Sequence, residues 1–446
     1  MQKGSRMISA AIISYAGLVG SFVASVAVSR LLGVEGKGVF SLFIATVTGL
    51  SLIATLGVPN GQTVYASDRP EWLRHFMANA VPFSLLAGGI IGLAYFGVGW
   101  VTGWRQVAPL GPFGAVAGLI VVPAGVLLMF QRQYFLVLHR FELAKIAGGV
   151  AVTLPLAGYV VLGLAHRTDV NAFLGVFVAS QLVCYLLFQV PARRAGPPQQ
   201  GFSRELARPS LSFGVRQLAS ITAGYAMGRL DWFIVAAYLG DYGLGIYSVA
   251  VALAEITVRL SNEIGTMLYP TFSGRNLKPG DAPRALRLVT LMAVATGGLL
   301  FVASGPVVHL LYGAAFAQAV PALRWLVLGT VARSTTHVTW TYVSARGRPS
   351  SGVGVFGIAT AVDVGLNILL LPHWGVVGAS IALATSYVVA AVLFYVLFRQ
   401  REACSLRQAF VVDGGDLRRL SQAVREIIER AGRVFAIPAK AHGAAE

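Results

Sequence analysis

Apolar runs long enough to cross a bilayer, roughly 20 residues each, recur about twelve times along this chain. They fall near 7–32, 39–58, 76–102, 114–138, 146–165, 172–190, 211–239, 244–268, 288–311, 320–345, 351–371 and 376–398. Backbone groups in lipid must be satisfied within the spanning segment, and the alternation of membrane strands is absent. The runs therefore predict an all-α polytopic membrane protein. Composition agrees, with 56% of residues apolar and 12% charged, where an ordinary soluble domain has about 25% charged.

One stretch occurs twice. Leu32-Gly33-Val34-Glu35-Gly36-Lys37-Gly38-Val39-Phe40-Ser41 returns about 207 residues later as Leu239-Gly240-Asp241-Tyr242-Gly243-Leu244-Gly245-Ile246-Tyr247-Ser248. Each copy joins two apolar runs, and its glycines suit a tight turn. A repeat this distant predicts two similar halves: residues 1–190 with six spans, a Pro-, Gln- and Arg-rich cytoplasmic linker at 191–210, and 211–398 with six more. Beyond lies a polar tail, 399–446. There Leu417, Leu420, Val424, Ile427 and Ile428 share one helical face, with Asp416 placed to cap the start and Gly432 to end it. The first run follows Lys3 and Arg6 as a signal peptide would, but its length suits a retained span.

The formal charge of +17 invites a nucleic-acid reading. Its placement argues otherwise. Loops on the side of the N-terminus carry most of the loop lysine and arginine, from Lys3 and Arg6 to Arg346 and Arg348, while the opposite loops hold Lys37, Arg105 and Arg167. This is the positive-inside pattern, and it puts both termini in the cytoplasm. Cys184 and Cys404 make neither a disulfide framework nor a metal site.

Ionised side chains within spans are the candidate functional residues, since each costs roughly 2.5–3.5 kcal/mol at the bilayer centre. They are Arg30, Arg132, Arg216, Arg229, Arg259, Arg324 and Arg333, with the acids Asp231, Glu255, Glu263 and Asp363. Arg30, Arg324, Arg132 and Arg216 stand near span ends and can snorkel to an interface. Glu255, Arg259 and Glu263 are spaced by four, which sets them on one helical face. An ion-pair ladder is the competing explanation there, as a structural pair with Asp363 is for Arg333. Ser14, Gly17, Ser21 and Ser25 form a stripe of small residues that more often means close helix packing than ligand contact. Arginine outnumbers acid overall, and all four acids lie in the second half. Such a balance suits an anionic solute, because guanidinium forks match phosphate oxygens. Arg259 and Arg333 are the first candidates for substrate contact, with Arg229 and Arg30 toward the outer side and Arg216 toward the inner. Asp231, Glu255, Glu263 and Asp363 would bind a coupling cation or neutralise the arginines.

Enzymatic chemistry is not written here. There is no Walker motif and no paired-histidine metal spacing, and Gly352-x-Gly354-x-x-Gly357 lies within an apolar run with no strand before it. No cofactor is implied.

The residues resemble the polysaccharide flippases of the multidrug/oligosaccharidyl-lipid/polysaccharide exporter superfamily. Four segments carry the resemblance: Ser29-Arg30-Leu31-Leu32-Gly33, the glycine-turn-aromatic stretch after it, Leu311-Tyr312-Gly313-Ala314-Ala315-Phe316, and Leu371-Pro372-His373-Trp374-Gly375-Val376-Val377-Gly378-Ala379. The resemblance covers about residues 5–398. It implies a bacterial inner-membrane flippase moving undecaprenyl-pyrophosphate-linked oligosaccharide from the cytoplasmic to the outer leaflet by alternating access through a cationic cavity. It further implies an anionic lipid-linked glycan, membrane lipids and a coupling cation (Na+ or H+) as partners, with a glycan polymerase or glycosyltransferase complex nearby. Lipid II flippases of the superfamily typically have fourteen spans, more than this chain holds. Export of a drug or small metabolite and a scaffolding role in glycan assembly are the alternatives.

Overall fold

A computed structural model of the chain describes residues 2–104, 107, 110–273, 280–346, 351–400 and 409, with the side chains of 1–16, 18, 68, 70, 220 and 260–273 outside the description. The tail helix expected around 416–432 and the Glu263 side chain fall outside these residues. The fold is all-α. In chain order the main helices are α1 (Gln2–Ala54), α2 (Val58–Asp68), α3 (Leu73–Thr102), α4 (Gly111–Val137), α5 (Phe141–Leu164), α6 (Val170–Leu187), α7 (Arg204–Ala226), α8 (Leu230–Ser273), α9 (Asp281–Tyr312), α10 (Ala319–Ala345) and α11 (Ser351–Arg399). Among the described residues, eight helical stretches are long and apolar enough to cross a bilayer. α7 and α10 are not among them. In α10 the reason is the run Ser334 to Thr341, whose hydroxyls turn back to carbonyls of their own helix, as Ser334 does to Thr330 and Thr339 to Thr335.

The repeat is visible in the backbone. α1 breaks at Gly33 (φ 70, ψ −171) and α8 at Gly240 (φ 67, ψ −168), two nearly identical conformations in the region that disfavours a Cβ. The two turns also pack against each other reciprocally. A Cβ on Gly38 would strike the carbonyl of Asp241, and one on Gly245 would strike the carbonyl of Val34. Ser41 Oγ donates to Ser248 Oγ at 3.2 Å, a bond between equivalent residues 207 apart. The contact thus joins equivalent residues of the two copies of the repeat.

No loop separates the limbs of α1. Lys37, expected in a solvent-facing loop, instead lies in the helix and is 6% exposed. The chain reverses through one glycine, which leaves no room for a wet loop. At the far ends of these helices, Gly57 and Gly61 meet Gly214 and Ser210 of α7 so closely that a Cβ on either glycine would strike α7 backbone. Small residues four apart on each helix permit that approach.

Among the described residues two large cores divide between the first and second parts of the sequence, beside a smaller cluster around Leu286, Tyr342 and Phe398. One is built from residues 24–192 around Phe43, Phe76, Phe96, Phe130 and Phe173. The other draws on residues 227–394 around Tyr247, Phe316 and Phe394, and borrows Val34, Leu42 and Ala45 from α1. Large apolar side chains such as Leu86, Val101, Leu164, Leu299 and Val302 stay exposed, as lipid-facing residues do. The expected linker is strapped to the first half. Gln199 Nε2 donates to Tyr134 OH at 2.8 Å, Asn79 exchanges two hydrogen bonds with the Ser203 backbone, and the Ser203 side chain caps α7.

Candidate functional site

A cavity of about 450 Å³ lies within the first half and reaches the second only at Trp232. Both limbs of α1 and helices α4, α5 and α6 wall it. Among the described residues that line it, the charged ones are Lys37 and Arg132, with no carboxylate. Lys37 Nζ donates to Ser25 Oγ at 3.1 Å, and Ser21, Ser41, Thr48 and Ser51 add hydroxyls. Phe40, Tyr159 and Phe177 supply aromatic wall. Such a space is polar at chosen points and greasy between them, the composition of a site for an amphiphile. The stripe expected to serve packing divides between two tasks. A Cβ on Gly17 would come within 3.0 Å of the Gly149 backbone, whereas Ser21 and Ser25 face the cavity.

The second half spends its charges on itself. Arg229 forms a bidentate pair with Glu255 at 2.8 and 3.2 Å, and its guanidinium lies 4.6 Å from the Trp232 ring centroid. Arg333 donates to Tyr387 OH and stacks over that ring at 4.7 Å. Glu255 is within electrostatic reach of both Arg333 and Arg259 as well. One carboxylate thus serves three guanidinium groups, of which it clasps one. Of the competing helix-face ladder, the Glu255 step is taken by Arg229 at the turn before α8, which holds both carboxylate oxygens, and the Glu263 step lies outside the described residues.

Asp231 and Asp363 are fully buried and close enough for their charges to act on one another. Tyr247 OH donates to Asp231 Oδ2, and Asn367 Nδ2 donates to Asp363 Oδ1 at 3.1 Å. Three oxygens of this group, Asp231 Oδ1, Asp363 Oδ2 and Asn367 Oδ1, are buried without a hydrogen-bond donor. The competing structural pair of Arg333 with Asp363 is not formed: Arg333 donates to Tyr387 and Asp363 accepts from Asn367.

Arg30 and Arg216 lie apart from both groups. The Arg30 guanidinium is exposed and bridges to the second half, donating to the carbonyls of Leu310 and Leu311 at the end of α9. Arg216 is exposed and bonds Ser212 O of its own helix at 3.2 Å. The sequence places Lys37 in a loop, gives no sign of Trp232, and sets Arg132 among the residues that can snorkel. The repeat held the missing signal for the lysine, since Lys37 aligns with Leu244 in the second copy. Among the described residues, no group of three or more His, Cys, Asp and Glu is placed to hold a metal ion.

Residues 27–321 match the family described as polysaccharide biosynthesis protein. Two curated relatives are each 23% identical over 42% of this chain: an uncharacterised membrane protein of Methanocaldococcus jannaschii and a probable low-salt glycan biosynthesis flippase of Haloferax volcanii. The matches span 38% and 41% of those proteins, well under half their length. An inward-facing multidrug resistance MATE family transporter of the MOP superfamily aligns with a TM-score of 0.67 and 14% identity, covering 89% of this chain and 98% of that one. The lipid II flippase MurJ, in an inward closed conformation, aligns at 0.64 and 12% identity over 87% of both chains. A MOP superfamily transporter of Pyrococcus furiosus, described as having a binding pocket of reverse polarity, aligns at 0.54 and 15% identity over 89% of this chain and 95% of that one. At such identities the likeness is one of fold. All three are described as transporters or flippases, none as an enzyme.

Proposed function

This chain belongs to the polysaccharide biosynthesis protein family, and from that premise we propose an alternating-access transporter whose halves enclose a cationic passage for an anionic amphiphile. In this reading the limbs on either side of Gly33, of Gly240 and of Gly375, where α11 breaks likewise (φ 54, ψ −135), are separate spans. With α2 prolonging the second limb of α1 and α7 running into the first limb of α8, the chain has about twelve spans in two six-helix lobes. The first candidate solute is lipid-linked oligosaccharide, of the undecaprenyl-pyrophosphate kind in a bacterial inner membrane, moved from the cytoplasmic leaflet outward. Both termini would lie in the cytoplasm. A glycan polymerase or glycosyltransferase would be the neighbour that supplies or consumes the solute.

The cavity supports this reading most: among the described residues Lys37 and Arg132 line it and no acid does. A site for cationic drugs needs the opposite sign. Arg259 and Arg333, which both act on Glu255, carry positive charge into the second lobe as candidate contacts for phosphate or an acidic sugar. Asp231, Asp363 and Asn367 serve as the seat of a coupling cation, Na+ or H+, because three buried acceptor oxygens there lack donors. Arg30 acts at the seam of the lobes, and Arg216 faces solvent.

The fold favours a second reading, as a multidrug or small-metabolite exporter or a lipid II flippase, since those activities are the ones ascribed to the solved structures above. Reconstituted protein separates the two. Proteoliposomes loaded with fluorescent lipid-linked oligosaccharide are expected to show leaflet exchange that Arg259→Ala and Arg333→Ala each slow by about tenfold. Transport of a cationic dye with no exchange of the glycolipid would select the second reading.

A further inference from the structure

The two copies of the repeat differ where the cavity begins. In the second copy Leu244 is fully buried in the core. In the first, the equivalent Lys37 is buried to nearly the same degree on the cavity wall. Leucine is the cheaper choice for such a place, since an ammonium taken from water without an acid partner is unfavourable. An ammonium has three N–H donors, and Lys37 commits one, to Ser25. Trp232 stands across the same cavity at the position equivalent to Ser25, 9% exposed, and its Nε1–H has no acceptor. Its ring face is already occupied by Arg229. Donors therefore converge on one space from both copies of the repeat, with Arg132 as a second cation and no carboxylate among the described residues of the wall.

We infer that Lys37 is the anion anchor of this cavity and that the group it holds is a phosphate. The inference rests on the transport reading above, and it narrows the sign of a cavity to one residue and one ligand chemistry. A compact ammonium is a natural phosphate binder. A phosphate also offers enough acceptor oxygens to take the remaining Lys37 donors and the indole N–H together, which the two oxygens of a carboxylate do less well. The phosphate can be part of a lipid headgroup or of a soluble ester, and the probes below separate these.

The test uses the full-length protein in nanodiscs, titrated with inorganic pyrophosphate, with undecaprenyl phosphate placed in the nanodisc, and with citrate. The readout is tryptophan fluorescence, with Trp232→Phe as the reference for its source. Wild type is expected to bind pyrophosphate or the lipid phosphate in preference to citrate. Lys37→Leu, which copies the second repeat, is expected to melt no lower than wild type and to lose at least about tenfold in affinity. Lys37→Arg is expected to retain binding within a few fold. Selective response to the lipid alone assigns a headgroup, and response to pyrophosphate assigns the free chemistry. A folded Lys37→Leu protein with undiminished phosphate affinity overturns the inference, as does wild type that binds neither phosphate probe. Transport discriminates the two levels of argument. Glycolipid exchange at the wild-type rate in Lys37→Leu removes the anchor and leaves the transport reading intact. Phosphate binding that depends on Lys37, in a protein that moves no glycolipid, removes the transport reading and leaves the anchor.

Discussion

The two halves turn at equivalent glycines yet distribute their charge in opposite ways. Positions 22, 24, 48 and 52 of the first half are Phe22, Ala24, Thr48 and Leu52; their counterparts are Arg229, Asp231, Glu255 and Arg259. Conversely, Arg30 and Lys37 answer to Ala237 and Leu244. The second half sets acids among its arginines, with Arg229 on Glu255, and buries a second pair of acids, Asp231 and Asp363, whose charges oppose one another. The first half sets cations against a cavity, with no acid among the described residues of its wall. A shared backbone thus carries two electrostatic designs, one in which acids and arginines are mixed and one in which cations line a cavity.

The largest expected effect lies in the second half. Arg229→Ala leaves Glu255 with its clasp removed in a setting where its side chain is 17% exposed, and the loss should be about 3 kcal/mol in stability. The double change Arg229→Phe with Glu255→Thr, which copies the first half, should recover most of it. Thermal melting in detergent checks both. A double variant no better than the single one would show that the pair does more than neutralise itself.

Next come the reciprocal turns. Gly38→Val and Gly245→Val each drive a side chain into the carbonyl of the other turn, at about 1–3 kcal/mol apiece. Matching losses are expected in urea or thermal unfolding. A tolerated change at one glycine and a severe one at the other would break the equivalence of the two turns.

Arg30 has no equivalent across the repeat, so its bridge to Leu310 and Leu311 is one-sided. Because the guanidinium is exposed, Arg30→Ala should cost only about 1 kcal/mol. Its clearer effect should be faster thiol labelling of a cysteine introduced at Leu311. Unchanged labelling would mean that the glycine contacts alone hold this seam. Smallest of all, Arg216→Ala removes only a bond to its own helix and should fall within about 0.5 kcal/mol of wild type. Loss of transport in that variant would place Arg216 on the solute's path.

Sequence pattern revealed the fold better than the site. Helices and glycine turns follow from local rules, so the apolar runs and the L-G-x-x-G-x-G repeat could be read without coordinates. The span edges were harder at α7 and α10, where arginines or threonines blur the apolar signal but are tolerated within the fold. Site residues depend on which side chains meet. Glu255 has Arg259 four residues on, yet its partner comes from the neighbouring limb at Arg229, and no spacing rule shows that. Lys37 falls between the apolar runs 7–32 and 39–58, which predicts a loop. Its burial depends on a reversal at Gly33 too sharp to leave a loop. Asn367 escaped notice for a related reason: an uncharged amide gains meaning only beside Asp363.

The claim on which the rest depends is that the first-half cavity receives the negative part of an amphiphile. Leaflet exchange of fluorescent lipid-linked oligosaccharide in proteoliposomes, compared between wild type and Lys37→Leu combined with Arg132→Ala, tests it most directly. Exchange by wild type that disappears in the folded double variant is the expected result. Equal exchange by both proteins, or movement of a cationic dye with none of the glycolipid, would contradict the account.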